Sequence, residues 1–461
     1  MHRTRFNFGT MLTLIAAYLG LFVGLIDANA MNLALPAIRD DLGGGISGAQ
    51  WSIDAYNIAF AAVLLTAGSL GDKFGRRTLL RIGIVTFVVA SLACAAAPTL
   101  ALLLAARTAQ GVGAAVMLPQ GLAITAAAFP AAAERARATA AWAMAAAMST
   151  AVGPILGGVL TDGPGWRYIF WLNAPVGVLA LGMTYRYLPE SHDPDAARFD
   201  MPGQILATLG LGTLTVVLVE ARTMSPVVST VVAVVAVMSI VVFVGSQRHV
   251  RHPMLPLDLF RSRRLIAGLI ATFTMTFGIY GLLLVNSFAF QQERGASALT
   301  TALWFLPLPL TYLVFIPSVN ALARRTGPLL PISGGLVVMA SGLLTYAAAG
   351  PRSDVWVIEL SFVLAGAGLA LTTGPAVGLA MSAVPLRRAG LASGVVNLAR
   401  LVGITVGVAV LGSTMAAIGN ADGARAATMV GGLVQLSGAV IVLAWTREHS
   451  PARIDEEVCN A

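Results

Sequence analysis

The sequence predicts an all-α membrane protein that crosses the bilayer fourteen times. Of its 461 residues, 57% are hydrophobic and only 11% are charged, and the mean hydropathy is +0.81. A soluble chain of this size carries charged residues at about a quarter of its positions. Apolar runs of about 20 residues, the length that a helix needs to cross the hydrocarbon, recur from end to end. A soluble enzyme is therefore excluded.

Each apolar run is interpreted as one helix, and short charged or glycine-containing stretches separate the runs. The predicted spans are 11–36, 50–70, 78–97, 100–127, 138–161, 167–188, 202–221, 227–246, 265–290, 298–322, 329–349, 355–382, 388–417 and 427–446. The two longest charged links enclose spans seven and eight. The chain therefore divides into a tail (1–10), six spans (11–188), a linker region with two additional spans (189–264), six further spans (265–446) and a second tail (447–461).

The positions of the basic residues predict the orientation of the chain. Most of the 29 Lys and Arg residues fall in alternate loops and in the two tails, and loops rich in these residues stay in the cytoplasm. Both termini are therefore predicted to be cytoplasmic, in a multi-pass protein of the cell membrane. The net charge of +8 does not indicate nucleic-acid binding, because the charges are spread over short loops and form no single basic face.

The densest basic loop, 68–81, reads GSLGDKFGRRTLLR and joins spans two and three. Its glycines predict a tight turn that begins at Gly68. A related segment, NALARRTG at 320–327, closes span ten, with Arg324 in place of Asp72. This repetition indicates that the six spans before the linker region and the six after it are copies of one unit, as in many transporters.

Five segments together resemble motifs of the major facilitator superfamily. GSLGDKFGRR resembles the signature loop between its second and third helices, and LAARTAQGVGAA (104–115) resembles the motif of its fourth helix. STAVGPILGG (149–158) is similar to the fifth-helix motif of antiporters, with serine at its leading glycine. LIDANAMNLALPAI (25–38), with asparagine where threonine is usual, and WRYIFWLNAPVG (166–177) are similar to the 14-span drug–proton antiporter branch. The resemblance is strongest to exporters of the methylenomycin-resistance type.

The resemblance implies a major facilitator fold of two six-helix bundles with two additional central helices (202–221 and 227–246). It also implies a proton-coupled multidrug or antibiotic efflux transporter that works by alternating access, with drug moving out and protons moving in. The expected partners are a drug-like small molecule, protons and the lipid bilayer, without nucleic acid. We expect a monomer that is not an enzyme and has no metal site and no cofactor, the proton being its coupling ion.

Asp27 is the leading candidate for proton exchange. It lies well inside the first predicted span, where a charged group must face a polar cavity or a partner; packing between helices is the alternative role. The resemblance ties Arg107, in span four, to proton coupling, with a structural ion pair as the alternative. The other residues that we assign to the substrate cavity are Asn32, Gln110, Glu220 and Arg400. Asp54, in the first turn of span two, and Glu359, early in span twelve, are left open between function, interface and packing.

Two motifs are predicted to control the movement between inward-open and outward-open states. The resemblance implies that the gating residues hold the two halves together on the cytoplasmic side, with the aspartate docked against a helix N-terminus of the second half; orientation of the chain is the alternative. These residues are Gly68, Asp72, Gly75, Arg76 and Arg77. The antiporter motif is expected to bend span five and to let a neighbouring helix approach closely. Its residues are Gly153, Pro154, Gly157 and Gly158.

Three other functions remain open from the sequence. A proton-coupled importer of a small nutrient and a lipid flippase would both use the same fold. A membrane-embedded enzyme or receptor would need a catalytic cluster or an additional domain. ATP-driven transport by this chain is unsupported, since the sequence contains no GxxxxGK[ST] phosphate loop.

Overall fold

The computed structural model describes residues 8–129, 132–188, 190, 200–221, 223–250, 253, 255, 257–384 and 389–447. Within these ranges all regular structure is helical, which confirms the all-α prediction. The α-helices are α1 Phe8–Leu42, α2 Gly45–Phe74, α3 Arg76–Ala95, α4 Leu100–Ala128, α5 Ala132–Asp162, α6 Arg167–Tyr187, α7 Met201–Glu220, α8 Pro226–Ser246, α9 Arg263–Phe288, α10 Ala298–Phe305, α11 Pro307–Thr326, α12 Leu329–Ala349, α13 Val355–Ser382, α14 Ala389–Ile418 and α15 Asn420–Arg447. A 3-10 turn, Leu257–Arg261, precedes α9, and a π turn, Ala289–Glu293, continues it.

The helices support the predicted number of crossings only in part. By length and composition, 12 helical segments of the described chain are able to span a membrane, with α10 and α11 counted as one segment. Helices α2 and α5 are not among them, although they are 30 and 31 residues long. Twelve crossings are thus supported by hydrophobicity. Helices α2 and α5 are both long enough to form the other two crossings.

Predicted span ten is not one continuous helix. Helix α10 ends at Phe305 and α11 begins at Pro307. Pro307 has no backbone N–H with which to continue the hydrogen bonds of the helix. The prediction of a single span over 298–322 is therefore correct in position and wrong in continuity.

The basic loop is shorter than its glycines predicted. Helix α2 continues to Phe74, and Gly75 alone, with φ 99°, separates it from α3. The predicted tight turn is therefore present, at Gly75 rather than from Gly68. Gly71 lies inside α2, where a Cβ atom would fall 1.9 Å from Oε1 of Gln120, so it serves the close packing of α2 on α4. At the equivalent position of the repeat, Gly327 (φ 77°) ends α11.

The helix packing is repeated in the two parts of the chain. Helix α1 packs on α5 and α6, α2 packs on α4, and α3 packs on α4 and α6. Likewise α9 packs on α14 and α15, α11 packs on α13, and α12 packs on α13 and α15. We call α1–α6 the N-terminal bundle and α9–α15 the C-terminal bundle. Helices α7 and α8 pack on each other, and α7 also lies against α2 and α14. The chain positions that divide these parts stay a prediction.

The two bundles meet through α1 and α9, α2 and α14, and α5 and α10. Nε2 of Gln50 in α2 donates to the carbonyl oxygens of Val408 and Ala409 in α14, both at 2.9 Å. The hydroxyl of Ser287 in α9 donates to the carbonyl oxygen of Asn32 in α1 at 2.6 Å. All these contacts lie toward the end at which α1 leads into α2, which is the predicted outer end. The bundles therefore close on each other there.

Asp162 adds a further contact at the same end. Its two carboxylate oxygens accept hydrogen bonds from the backbone N–H groups of Ala298 and Leu299, at 2.9 and 2.8 Å. Asp162 ends α5 in the N-terminal bundle, whereas these two N–H groups begin α10 in the C-terminal bundle. A carboxylate at a helix N-terminus satisfies otherwise unpaired donors and is attracted by the helix dipole. Asp162 is not part of any of the five motifs, and the sequence did not predict this contact.

We expect Asp162→Asn to favour opening at the predicted outer end. The amide keeps the shape, but it loses the charge and one of the two acceptors. Hydrogen bonds to charged groups contribute about 1.5–3 kcal/mol each, so the open population should rise about 10-fold or more. Spin labels at Asp40→Cys and Gln292→Cys, in a Cys459→Ser background, would report the distance. Asp422→Asn, a side chain 82% exposed at the same end, is the control, and equal distance distributions in all three proteins would contradict the prediction.

Candidate functional site

A buried ion pair between α1 and α4 is the centre of the candidate site. Asp27 is 0% exposed and Arg107 is 1% exposed. NH1 of Arg107 donates to Oδ2 of Asp27 at 2.7 Å. Oδ1 of Asp27 accepts from Nδ2 of Asn173 in α6 at 2.7 Å and from Nε2 of Gln110 at 3.2 Å. Both carboxylate oxygens are therefore hydrogen-bonded within the N-terminal bundle.

Arg107 is held by more than the aspartate. Its Nε donates to the carbonyl oxygen of Ser52 in α2 at 3.0 Å, and its NH1 donates to Oε1 of Gln110 at 2.6 Å. The guanidinium also lies over the ring of Tyr56, 4.5 Å from the centroid, where the ring face attracts a cation. A buried ion pair is tolerated only when such additional bonds satisfy the remaining donors and acceptors. The arrangement meets this condition.

The sequence predicted three members of this network and missed two. Asp27, Arg107 and Gln110 lie together, although their role in coupling stays a prediction. Asn173 and Ser91 were missed; the Ser91 hydroxyl oxygen accepts from Gln110 at 2.8 Å and from Asn173 at 3.2 Å. A sequence signal for Asn173 exists, since it is the single amide in the apolar part of WRYIFWLNAPVG. Ser91 offers no such signal among the many small residues of α3.

A second group of buried polar atoms has no hydrogen-bond partner. It comprises Oδ1 of Asn32, both carboxylate oxygens of Asp54, both side-chain polar atoms of Asn286 and Nε of Arg400. These residues lie on α1, α2, α9 and α14, the helices that join the two bundles. Buried polar atoms normally have partners. The unpartnered polar atoms on these four helices are therefore candidates for contact with a bound molecule or with water.

Asp54 lies deeper than predicted. It was placed in the first turn of span two, but α2 begins at Gly45, after a connection of positive-φ glycines, and Asp54 is 0% exposed. An interfacial position is therefore wrong. A fully buried, unbonded carboxylate is one of the most costly groups to place in a protein interior, so it is a candidate functional residue that the sequence reading undervalued.

Glu220 contacts the start of α2. It is the last residue of α7, and its Oε1 accepts hydrogen bonds from the hydroxyl of Ser47 and from Nε1 of Trp51, the latter at 3.0 Å. Both donors belong to the first two turns of α2. The carboxylate thus connects α7 to α2 of the N-terminal bundle, and the assignment of Glu220 to the cavity stays a prediction.

The gating motif is described only in part. The surroundings of Gly68 and the side chain of Asp72 lie outside the described residues, so their predicted roles and that of Arg76 stay predictions. Backbone N–H groups of Arg77 and Thr78, at the start of α3, donate to the Glu190 carboxylate at 3.0 and 3.2 Å. NH1 of Arg77 donates to the carbonyl oxygen of Leu188 at 3.0 Å. Arg77 thus connects the gating motif to the segment that follows α6.

The antiporter motif brings α5 close to two other helices. Pro154 lies inside α5. A Cβ atom on Gly153 would fall 2.6 Å from Cβ of Asn29, and one on Gly157 would fall 2.5 Å from the carbonyl oxygen of Ala30. Gly158 faces the other bundle. A Cβ atom built on it would fall 2.7 Å from the Cα of Leu299 in α10. The motif therefore places α5 against α1 and against α10.

Solved transporter structures share this architecture. The chain superposes on a crystal structure of a POT family transporter in complex with 5-aminolevulinic acid with a TM-score of 0.72, covering 94% of this chain and 96% of the other. Its TM-score against peptide transporter POT in complex with sulfate is 0.73, with 96% of both chains covered. The sequence identity is 15% in both cases. This likeness shows the fold alone.

Relatives with higher identity are named for drug resistance. The chain is 39% identical to Multidrug resistance protein Stp of Mycobacterium tuberculosis. The alignment of 419 residues covers 90% of this chain and 77% of the relative. It is 33% identical to Drug efflux pump JefA of the same organism (88% and 80% covered). It is 29% identical to Methylenomycin A resistance protein of Streptomyces coelicolor (96% and 93% covered). These names confirm the resemblance drawn from the motifs.

The family itself follows from a match that covers most of the chain. Residues 17–408 match the model of the Major Facilitator Superfamily. This range includes all five motifs of the sequence reading, the buried ion pair and the helices that join the bundles. The chain belongs to the Major Facilitator Superfamily.

Proposed function

We propose that this protein exports drug-like small molecules across the cell membrane by alternating access, in exchange for protons. The observation that carries the proposal is the Asp27–Arg107 ion pair, a single carboxylate and a single guanidinium buried together inside the N-terminal bundle. Charges at this depth are costly and mark functional sites in transporters. The drug-resistance names of the relatives support export as the direction.

Protonation of Asp27 would change the balance of charge at this pair. The ionised carboxylate compensates the Arg107 cation, whereas the neutral acid does not. An uncompensated buried charge is strongly unfavourable, so protonation favours a conformation in which Arg107 is better solvated or differently paired. A proton on Asp27 thus alters the relative free energies of the two states, as coupling requires.

The proposed transport cycle starts from the state in the structure, in which the predicted outer end is closed. With the predicted outer end closed, substrate enters from the cytoplasm or the inner leaflet while Asp27 is ionised. Outward opening breaks the contacts of Gln50, Ser287 and Asp162 and gives external protons access to Asp27. Protonation weakens the hold on the substrate, and the return step carries the proton inward. A membrane potential of 100 mV adds ~2.3 kcal/mol for each charge moved.

The remaining assignments complete the proposal. Both termini face the cytoplasm, and the protein works as a monomer without enzymatic activity. The gating residues Gly68, Asp72, Gly75, Arg76 and Arg77 close the cytoplasmic side in the outward-open state. This role complements the contacts at the opposite end, because alternating access requires that only one end be open at a time.

Drug-driven proton release from inverted vesicles tests the proposal. We expect vesicles with the wild-type protein to release protons when drug is added, and vesicles with Asp27→Asn to release none while drug still binds. Asp27→Glu keeps a carboxylate and should retain part of the coupling, which separates loss of the proton site from loss of structure. Equal proton release per transported drug in wild type and Asp27→Asn would remove Asp27 from the mechanism.

A further inference from the structure

Arg400 is a cation inside helix α14 that has no ion-pair partner among the residues that the structure describes. It lies eleven positions after Ala389, the first residue of α14, which is about 16 Å along the helix at 1.5 Å per residue. Its Nε is buried and makes no hydrogen bond, while part of the side chain remains accessible. Among the residues that the structure describes, no carboxylate forms an ion pair with it.

The arginine cannot relieve this situation by losing its proton. Guanidinium groups stay charged in proteins, and a buried charge without compensation is costly. The two buried acids of the neighbouring helices do not supply the compensation. Asp27 is bonded to Arg107, and the carboxylate of Asp54 has no hydrogen-bond partner at all. A buried carboxyl group without a partner becomes neutral by taking up a proton, whereas a guanidinium does not lose its charge, so the charge that remains available to an incoming molecule is that of Arg400.

The surroundings of Arg400 come from both bundles. Tyr56 of α2 and Tyr312 of α11 lie within electrostatic range of its guanidinium. Tyr280 of α9 lies within the same electrostatic range of both tyrosines. Arg400 thus lies between the bundles, in a setting of aromatic rings and hydroxyl groups. Such a setting suits an aromatic molecule that carries one negative group.

We propose that Arg400 binds the anionic group of the transported molecule, a carboxylate above all, so that the protein's preferred cargo is aromatic organic acids rather than lipophilic cations. The planar guanidinium donates two parallel hydrogen bonds to a carboxylate, which gives orientation as well as affinity. This inference rests on the proposed export function and specifies its substrate class. It also explains why a cation without an ion-pair partner among the described residues is kept inside α14.

Binding of three probes that share one fluorophore tests the inference. Dansylglycine is an anion at pH 7, its methyl ester is neutral, and dansyl-ethylenediamine is a cation. Their dissociation constants are measured on the full-length protein in nanodiscs, for wild type, Arg400→Gln and Arg400→Lys. Arg352→Gln, which removes the same charge from an exposed position, is the matched control.

We expect wild type and Arg352→Gln to bind the acid at least about 10-fold more tightly than the ester, and the cation least. Arg400→Gln should weaken acid binding about 10- to 100-fold, the range for a bond to a charged group, and leave the ester unchanged. Arg400→Lys should keep part of the preference. Tighter binding of the cation or ester by wild type, no binding of the acid, or equal loss of all three probes in Arg400→Gln would overturn the inference.

These outcomes are separable from the proposed function. Export coupled to protons is tested by proton release with Asp27→Asn, which does not depend on the charge of the drug. A protein that prefers cations but still exchanges drug for protons would refute the substrate class alone. A protein that binds the acid through Arg400 but moves no protons would refute the coupling alone.

Discussion

Asp27→Asn is expected to lower the free energy of unfolding by about 3–5 kcal/mol, because it leaves a buried guanidinium without its counter-charge. Arg107→Gln is expected to lower it by less. An arginine cannot lose its charge, whereas an isolated aspartate becomes neutral by taking up a proton. The double variant Asp27→Asn/Arg107→Gln removes both charges and should recover at least half of the loss. The measurement is the unfolding equilibrium of the purified protein in detergent micelles at one pH.

The order of the three variants in their free energy of unfolding is the result that decides the prediction. Recovery in the double variant shows that the charges, rather than the lost side-chain packing, cause the instability. If the two single losses simply add in the double variant, Asp27 and Arg107 do not interact energetically, and the role given to the ion pair fails. The same double variant should move no protons, since it contains no carboxylate at this position.

Gly157→Val is expected to prevent accumulation of folded protein. A Cβ atom at this position would lie 2.5 Å from the carbonyl oxygen and 2.8 Å from the Cα of Ala30, and these are backbone atoms that cannot rotate aside. Helices α1 and α5 would have to move apart, at a cost of at least about 3 kcal/mol, the upper end of what overpacking usually costs. Yield and melting temperature after purification measure the effect.

Gly182→Val supplies the matched control. This glycine lies in α6, and a Cβ atom built on it meets nothing within 4 Å, so the variant carries the same helix-propensity change without the steric conflict. We expect its yield and melting temperature to equal those of the wild type. A Gly157→Val protein as stable as Gly182→Val would show that the antiporter motif does not hold α5 against α1.

Much of the fold could be read from the sequence because the bilayer restricts what a chain can do. Backbone groups in hydrocarbon must be satisfied within the segment, so each long apolar run had to form a helix. Boundaries were less accurate: α2 starts at Gly45 rather than residue 50 and ends at Phe74 rather than residue 70. Hydrophobicity places the polar residues at these helix ends in loops, but they continue the helix.

The sequence predicted only some of the residues of the candidate site. Asp27 and Arg107 stood out because charged residues inside apolar runs are rare and functional. Asp162 did not, since a carboxylate at a helix end is common, and the single amide Asn173 in its apolar segment was missed. Their importance depends on partners 146 and 136 residues away in the chain. Such pairings are set by how the helices pack against each other.

The sequence by itself determined that the chain is a helical membrane protein with basic loops on one side and with the motifs of a transporter family. These properties depend on local composition, which the bilayer turns directly into helices. Only the tertiary structure decided that Asp27 is paired, that Asp54 and Arg400 have no ion-pair partner among the described residues, and that the bundles meet at the predicted outer end. Whether a buried charge has a partner depends on which helices pack around it, and the hydrophobicity of the sequence does not determine that packing.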